Sequence, residues 1–355
     1  MKCQKLDPLK KDRLIVDNRK RFNYNGVMER IKKYRYSEIF GGHGYLDANG
    51  KLVPGTIQGE GEYTGIASVW LRLWGCNKDC NGFGQDDPTK PETFDLPFEQ
   101  IDVSKYKTLE DLPVFSKGCD SSYSWSKKFM DLAHKDTAED IVNKLRQRLY
   151  NGKFIHELTK QPCHLVFTGG EPILSQHALL AIVQEFEKQN EIPQYITIET
   201  NGSLEIGQDF IDYFKELLHK LVPAPECDIE GGPKHSKYLF HELFWSVSPK
   251  IFATSGETFE SSIKPEVVKQ YYDLSDSGQF KFVCNGSKQS WNEIDQAVKL
   301  YRDAGIDWPI WIMPVGATVE GQQLVAADVA DEALYRGYNV SARVHTYLYG
   351  NVVGR

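Results

Sequence analysis

The stretch HLVFTGGEP, residues 164–172, decides how the chain is read. A short apolar run ends in two glycines and restarts at Glu171-Pro172, residue types that suit a first helical turn. A strand that hands over to a helix through glycines is half of a βαβ unit. Working outward, four later apolar runs have similar size: YITIET (195–200), FWSVSP (244–249), FKFVC (280–284) and IWIMPV (310–315). An earlier one, SVWLRL (68–73), alternates like a strand. Helical patterns lie near 137–150, 174–189, 207–221, 290–304 and 323–337, the first with Asp136 or Thr137 as N-cap. This alternation predicts an α/β fold with a parallel sheet, either open or curled into a barrel; periodicity does not choose between them. Both arrangements put the active site at the C-terminal strand ends.

The unusual residues sit at those ends. SVWLRLWG runs into Cys76, HLVF into Thr168-Gly169-Gly170-Glu171, YITI into Glu199-Thr200-Asn201-Gly202, and FWSV into Ser248-Pro249-Lys250. Four such ends predict one site assembled from separate loops.

The 355 residues, 41% hydrophobic and 26% charged, are enough for a large core and one or two domains. A formal net charge of -7 without a long basic stripe argues against nucleic acid as partner. No run reaches membrane-spanning length, and no apolar run follows the lysines of MKCQKLDPLKKDR, so the expectation is a cytoplasmic protein without membrane association. Residues 1–50 read as an N-terminal extension and 51–355 as the main domain. Residues 82–118, rich in Pro, Asp, Lys and Gly, read as an inserted loop.

Seven cysteines are an odd number, and without an export signal they do not suggest a disulfide framework. Cys76 and Cys80, four residues apart, are close enough to bind one metal centre. Such a pair can also be two buried small hydrophobes, but a loop carrying Asn77, Lys78 and Asp79 is a poor place to bury them. Cys163 and Cys284 abut strand cores and read as buried thiols; Cys3 and Cys227 have no evident role.

Thr56-Ile57-Gln58-Gly59-Glu60-Gly61, then Arg72, Gly75-Cys76-Asn77 and Cys119-Asp120-Ser121, resemble the start of the 7-carboxy-7-deazaguanine synthases, a family of radical S-adenosylmethionine (SAM) enzymes. Gly169-Gly170-Glu171 resembles that superfamily's GGE motif, and GYNVSARVH (337–345) the family's C-terminal ending. The resemblance covers roughly residues 55 to 350 as scattered motifs. It departs at one point. The third cluster cysteine usually stands three residues after the second, and here that position is Phe83, which cannot ligate iron. Cys119, displaced by the 82–118 insertion, carries the family's Cys-Asp-Ser context, so the resemblance implies a C-x3-C-x38-C cluster motif.

By resemblance the fold is an incomplete (β/α)6-type radical SAM barrel with an insertion in its cluster loop. Cys76, Cys80 and Cys119 hold a [4Fe–4S] cluster, and Ser121 supplies a hydroxyl to Mg²⁺. Asp120, Gly169, Gly170, Glu171, Glu199, Asn201, Ser248 and Lys250 contact SAM, with Glu171 accepting from the methionine ammonium. Ile57, Gln58, Gly59, Glu60, Arg72, Thr168 and His345 hold a pterin substrate, and no catalytic residue is implied beyond the groups that bind the cofactors. The implied reaction converts 6-carboxy-5,6,7,8-tetrahydropterin to 7-carboxy-7-deazaguanine with loss of ammonia. A flavodoxin- or ferredoxin-type electron donor is implied, and a homodimer is compatible with it. The residues leave two alternatives: another radical SAM enzyme such as a glycyl-radical activase, or, because of Phe83, a cluster-less binding protein.

Overall fold

The computed structural model describes residues 21–22, 28–29, 32–222, 237–238 and 240–350. Cys3, Cys227 and most of the 1–50 extension lie outside these residues. The main sheet contains β1 (Tyr34–Gly41), β2 (Ser68–Leu73), β3 (His134–Asp136), β4 (His164–Gly169), β5 (Tyr195–Thr200), β6 (Glu242–Val247), β7 (Gly278–Cys284), β8 (Ile310–Pro314) and β9 (Asn339–Val340). Their spatial order is β9-β8-β7-β6-β5-β4-β2-β1-β3. From β2 to β9 every neighbouring pair is parallel, while β1 is antiparallel to both β2 and β3. The mixed α/β architecture with a parallel sheet is therefore as expected, with an antiparallel margin that the strand pattern did not indicate.

Among the described residues, the α-helices of six residues or more are α1 (Ala138–Gln147), α2 (Gln176–Lys188), α3 (Gln208–His219), α4 (Pro265–Leu274), α5 (Lys288–Asp303), α6 (Ala326–Tyr335) and α7 (Val344–Tyr349). Thr137 caps α1, its hydroxyl accepting from the Asp140 amide at 3.1 Å. Apolar residues three and four apart give each long helix one buried face, such as Leu179, Ile182, Val183 and Phe186 on α2 and Trp291, Ile294, Ala297 and Tyr301 on α5. These faces pack on one side of the sheet, against Leu71, Phe167, Ile198, Trp245, Phe282 and Ile312, in one continuous core. Among the described residues no helix is long and apolar enough to cross a membrane.

The opposite face of the sheet is buried but polar. Arg72 pairs with Thr168 across β2 and β4, Glu199 with Ser246 across β5 and β6, and Ser246 with Gln279 across β6 and β7. Period-two alternation thus sets a polar row behind the apolar one. Residues 56–66 and the chain after β9 cover this row: the Gly61 amide donates to Ser341 Oγ at 2.7 Å, and the Glu62 amide to Gln279 Oε1 at 2.9 Å.

Two expectations need correction. The boundary at residue 50 cuts through structure, because Tyr34–Gly41 is a strand of the main sheet. Only Arg35 in that strand escapes full burial, so no alternation marks it. Residues 82–118 are not a bare loop: Phe98, Leu109, Leu112 and Phe115 form a satellite core with Tyr123 and Phe129. The 323–337 pattern corresponds to one helix, α6, with a short helix at Val319–Gln323 just before it. Helix α4, opened by Pro265, was not foreseen.

Candidate active site

A cavity of about 280 Å³ opens at the C-terminal ends of the parallel strands. Every residue expected from the sequence lines it except Gly59 and Glu171.

The cysteine loop is built from the strand ends outward. Leaving β2, the Gly75 amide donates to Ser124 O at 2.9 Å, and Gly75 O accepts from the Glu171 amide at 2.7 Å. A Cβ on Gly170 would lie 2.5 Å from Gly75 O and 2.7 Å from Cys76 Cβ. The glycine therefore serves the approach of β4's end to the cysteine loop, a use distinct from the ligand approach that the motif suggested. Cys80 adopts a left-handed backbone (φ 51°), and Glu257 Oε1 holds it there by accepting from the Asp79 and Cys80 amides, both at 3.0 Å. Lys78 Nζ anchors the same loop to Ser261 O at 2.9 Å and to Glu257 at 3.4 Å. Glu257 and Lys78 could not be recognised from spacing.

The insertion leaves and re-enters at one place. The Gly118 amide donates to Phe83 O at 2.7 Å, so Cys119 emerges beside the position where Phe83 stands. Cys76, Cys80, Cys119 and Phe83 line the same cavity, and Lys250 Nζ lies 6.0 Å from the Phe83 ring centre. Burial pushes the Cys76 thiol up to about 12, with the nearby Glu171 adding to the shift, and burial also raises Cys80 and Cys119. Neutral buried thiols become good ligands only as a metal displaces their protons.

Among the described residues no group of three His, Cys, Asp or Glu is gathered tightly enough for a single metal ion. An iron–sulfur cube differs from a single ion because each thiolate binds a different iron, which spreads the ligands. Three cysteines facing one cavity, with no fourth lining it among the described residues, fit a cube that keeps one iron open.

Around this corner lie Gly169, Gly170, Asn201, Ser248 and Lys250. Glu171 sits beneath them, buried, with Oε1 accepting from the Ile173 amide (3.0 Å) and Thr200 Oγ1 (2.8 Å) and Oε2 from the Asn201 amide (2.7 Å). Its carboxylate ties the ends of β4 and β5 together.

The other end of the cavity is an ionic network. Glu199 accepts from Gln58 Nε2 (3.3 Å), Lys281 Nζ (3.2 Å) and Thr168 Oγ1 (3.2 Å). Lys281, only 4% exposed, also donates to Glu60 at 2.9 Å, and Glu60 pairs with Arg343 at 3.0 Å. Burial alone would raise Glu60; the Lys281 and Arg343 charges overcome it and hold the carboxyl well below its usual range. Burial likewise opposes the Lys281 charge, but Glu199 and Glu60 raise its pKa above the usual lysine value. His345 is lowered, by burial first, and faces Glu60 as a neutral imidazole. Gly59 makes room for it: a Cβ there would lie 1.9 Å from His345 Nδ1. Lys281 and Arg343 went unrecognised, although a lysine at the inward phase of FKFVC was a readable signal.

Arg72 donates from Nε to Glu38 Oε1 at 2.7 Å and from Nη1 to Ser121 Oγ at 3.2 Å. Tyr123 donates to the same Glu38 oxygen at 2.9 Å. Asp120 Oδ2 lies 3.1 Å from Arg343 Nη2. The Asp120–Ser121 donor set is a poor fit to Mg²⁺: Ser121 Oγ and Asp120 Oδ2 already face guanidinium groups, Asp120 Oδ1 accepts from Ser121 Oγ at 3.2 Å, and a hard cation needs oxygens free of other cations.

No family model matches the chain. A 7-carboxy-7-deazaguanine synthase of Rhodopirellula baltica is 23% identical over 305 residues, 83% of this chain and 83% of that protein. The same-named enzymes of Rickettsia prowazekii and Pyrobaculum aerophilum are 26% and 23% identical, over 62% and 84% of this chain and 67% and 94% of their own lengths. Among solved structures, native anSMEcpe with bound AdoMet overlaps 61% of this chain and 58% of its own at 14% identity, with a TM-score of 0.33. Motif, cavity and relatives agree in likening the chain to the 7-carboxy-7-deazaguanine synthases.

Proposed function

We propose that this chain contracts the ring of 6-carboxy-5,6,7,8-tetrahydropterin to 7-carboxy-7-deazaguanine with loss of ammonia, on a sheet curled as an incomplete barrel. The observation that carries the reading is the meeting of Cys76, Cys80 and Cys119 in one cavity with the polar row of the sheet. A [4Fe–4S] cluster would be held by Cys76, Cys80 and Cys119 and, with SAM bound beside it, would supply one-electron radical chemistry. The chain's own residues bind and orient. Gly169, Gly170, Asn201, Ser248 and Lys250 form the SAM side, with Glu171 and Asp120 as supports. Ile57, Gln58, Thr168 and Arg72 form the substrate side, where the amide of Gln58 suits the donor and acceptor edge of a pterin.

Expelling ammonia requires one group to take a proton from carbon and another to give one to nitrogen. Glu199, Glu60, Lys281 and His345 are the titratable groups on that side of the cavity. Burial keeps His345 neutral and able to accept. A wall of buried paired charges suits a small polar molecule better than a partner's peptide loop, which favours this reading over a glycyl-radical activase. We further propose that the electron comes from a flavodoxin or ferredoxin.

Anaerobic reconstitution tests the proposal. The chain should take up about four irons, and with SAM, reductant and the carboxytetrahydropterin it should release 7-carboxy-7-deazaguanine and ammonia. Cys119→Ala should abolish iron uptake. Full iron content and turnover in Cys119→Ala would reject the ligand set, and a loaded enzyme that leaves the pterin unchanged would reject the substrate.

A further inference from the structure

The disagreement between Asp120–Ser121 and a magnesium site points to a different cation. Arg72 from β2 and Arg343 from the segment after β9 converge on this pair, Arg72 Nη1 at 3.2 Å from Ser121 Oγ and Arg343 Nη2 at 3.1 Å from Asp120 Oδ2. A carboxylate anchors each guanidinium at Nε, Glu38 at 2.7 Å for Arg72 and Glu60 at 3.0 Å for Arg343. Each keeps one terminal amino group, Arg72 Nη2 and Arg343 Nη1, without a partner among the described residues, and both arginines line the cavity. Phe40 and Trp70, stacked 5.4 Å apart at 11°, line it beside them.

We propose that Arg343 is a substrate-anchoring residue, and that with Arg72 it presents two fixed guanidiniums to the anionic oxygens of a carboxylated planar heterocycle, where a divalent cation would otherwise sit. Guanidinium forks match carboxylates in pairs and need no hydration shell to be removed. With Asp120 and Glu60 holding Arg343, and Glu38 holding Arg72, the cations are oriented before substrate arrives. The chain therefore binds its substrate without Mg²⁺. This inference rests on the proposed pterin reading of the cavity.

The test uses the reconstituted, unreduced full-length chain with SAM, titrated calorimetrically with 6-carboxypterin after metal removal and again with Mg²⁺. The two affinities should agree within about twofold, and Mn²⁺ substituted for Mg²⁺ should retain the electron paramagnetic resonance signal of the free ion. Arg343→Gln should weaken 6-carboxypterin by about tenfold or more, as expected for a charge-assisted pair, while leaving unsubstituted pterin unaffected. Arg343→Lys should recover part of the loss. Tenfold tighter binding with Mg²⁺, one Mn²⁺ immobilised per chain, or an undiminished Arg343→Gln overturns the inference and leaves the pterin reading standing. Failure to bind 6-carboxypterin under any of these conditions overturns both.

Discussion

Gly170→Ala tests the cysteine loop without touching a cysteine. The added methyl would start 2.5 Å from Gly75 O and 2.7 Å from Cys76 Cβ, whereas ordinary contact begins at 3.4 Å. Relief against Cys76 alone needs a shift of about 0.7 Å, several times the roughly 0.2 Å that metal–ligand bonds tolerate. The overpacking should cost about 1–3 kcal/mol, which a domain with this core survives. The expected result is a folded protein, with a far-ultraviolet spectrum like the parent's and a lowered urea midpoint, that takes up well under half of the parent's iron. If Gly170 served only to let backbone approach SAM, the variant would fill with iron normally and lose SAM affinity alone. Full iron content with weakened SAM binding refutes the packing argument.

Lys281→Met leaves Glu60 and Glu199 facing each other inside the sheet without their shared ammonium. Stranding buried charge in this way costs about 3–5 kcal/mol, so urea unfolding at neutral pH should show a loss of that size, smaller at acid pH where the carboxylates protonate. An unchanged midpoint would mean that the network contributes nothing to folding. His164, stacked on Tyr195 with ring centres 4.5 Å apart, is held neutral by burial, its pKa lowered from 6.5 to about 4. The unfolded chain takes up this proton first, so the contribution is complete above pH 6.5 and fades as pH falls towards 4. The loss is about 2 kcal/mol by pH 5 and about 3 kcal/mol at pH 4. His164→Phe keeps the stack and should be less acid-sensitive by those amounts in paired denaturation curves; identical pH profiles would refute the assignment.

What could be read from the chain follows from how each feature is encoded. The parallel strands from Ser68 to Pro314 were legible because one side of each meets helices and the flanking segments punctuate the runs, whereas His134–Asp136 was not. Tyr34–Gly41 was not legible, since almost every residue in it is buried and its partners are distant in sequence. At the site, motifs located the residues but not their partners. Glu171 illustrates this: its position was readable, while two of its three donors come from Thr200 and Asn201, which only the fold brings near. Arg343 and Asp120 meet through chain closure that no local pattern records.

On the proposed ligand set, the insertion lets a third cluster cysteine arrive late without disturbing its neighbours. A segment that departs and returns at adjacent points adds little strain where it is spliced in, and the 2.7 Å bond from Gly118 to Phe83 closes that neck. The segment is also held at its far side. Phe98 and Phe115 pack with Tyr123 and Phe129, and Tyr123 then reaches Glu38, the carboxylate that orients Arg72. One inserted core thus sets Cys119 at the cysteine corner and steadies an arginine on the substrate side. On this argument, loosening the satellite core by Phe115→Ala, at about 3–5 kcal/mol, should impair iron retention and 6-carboxypterin affinity together. A loss confined to one of them would show that the insertion supports only one end of the cavity.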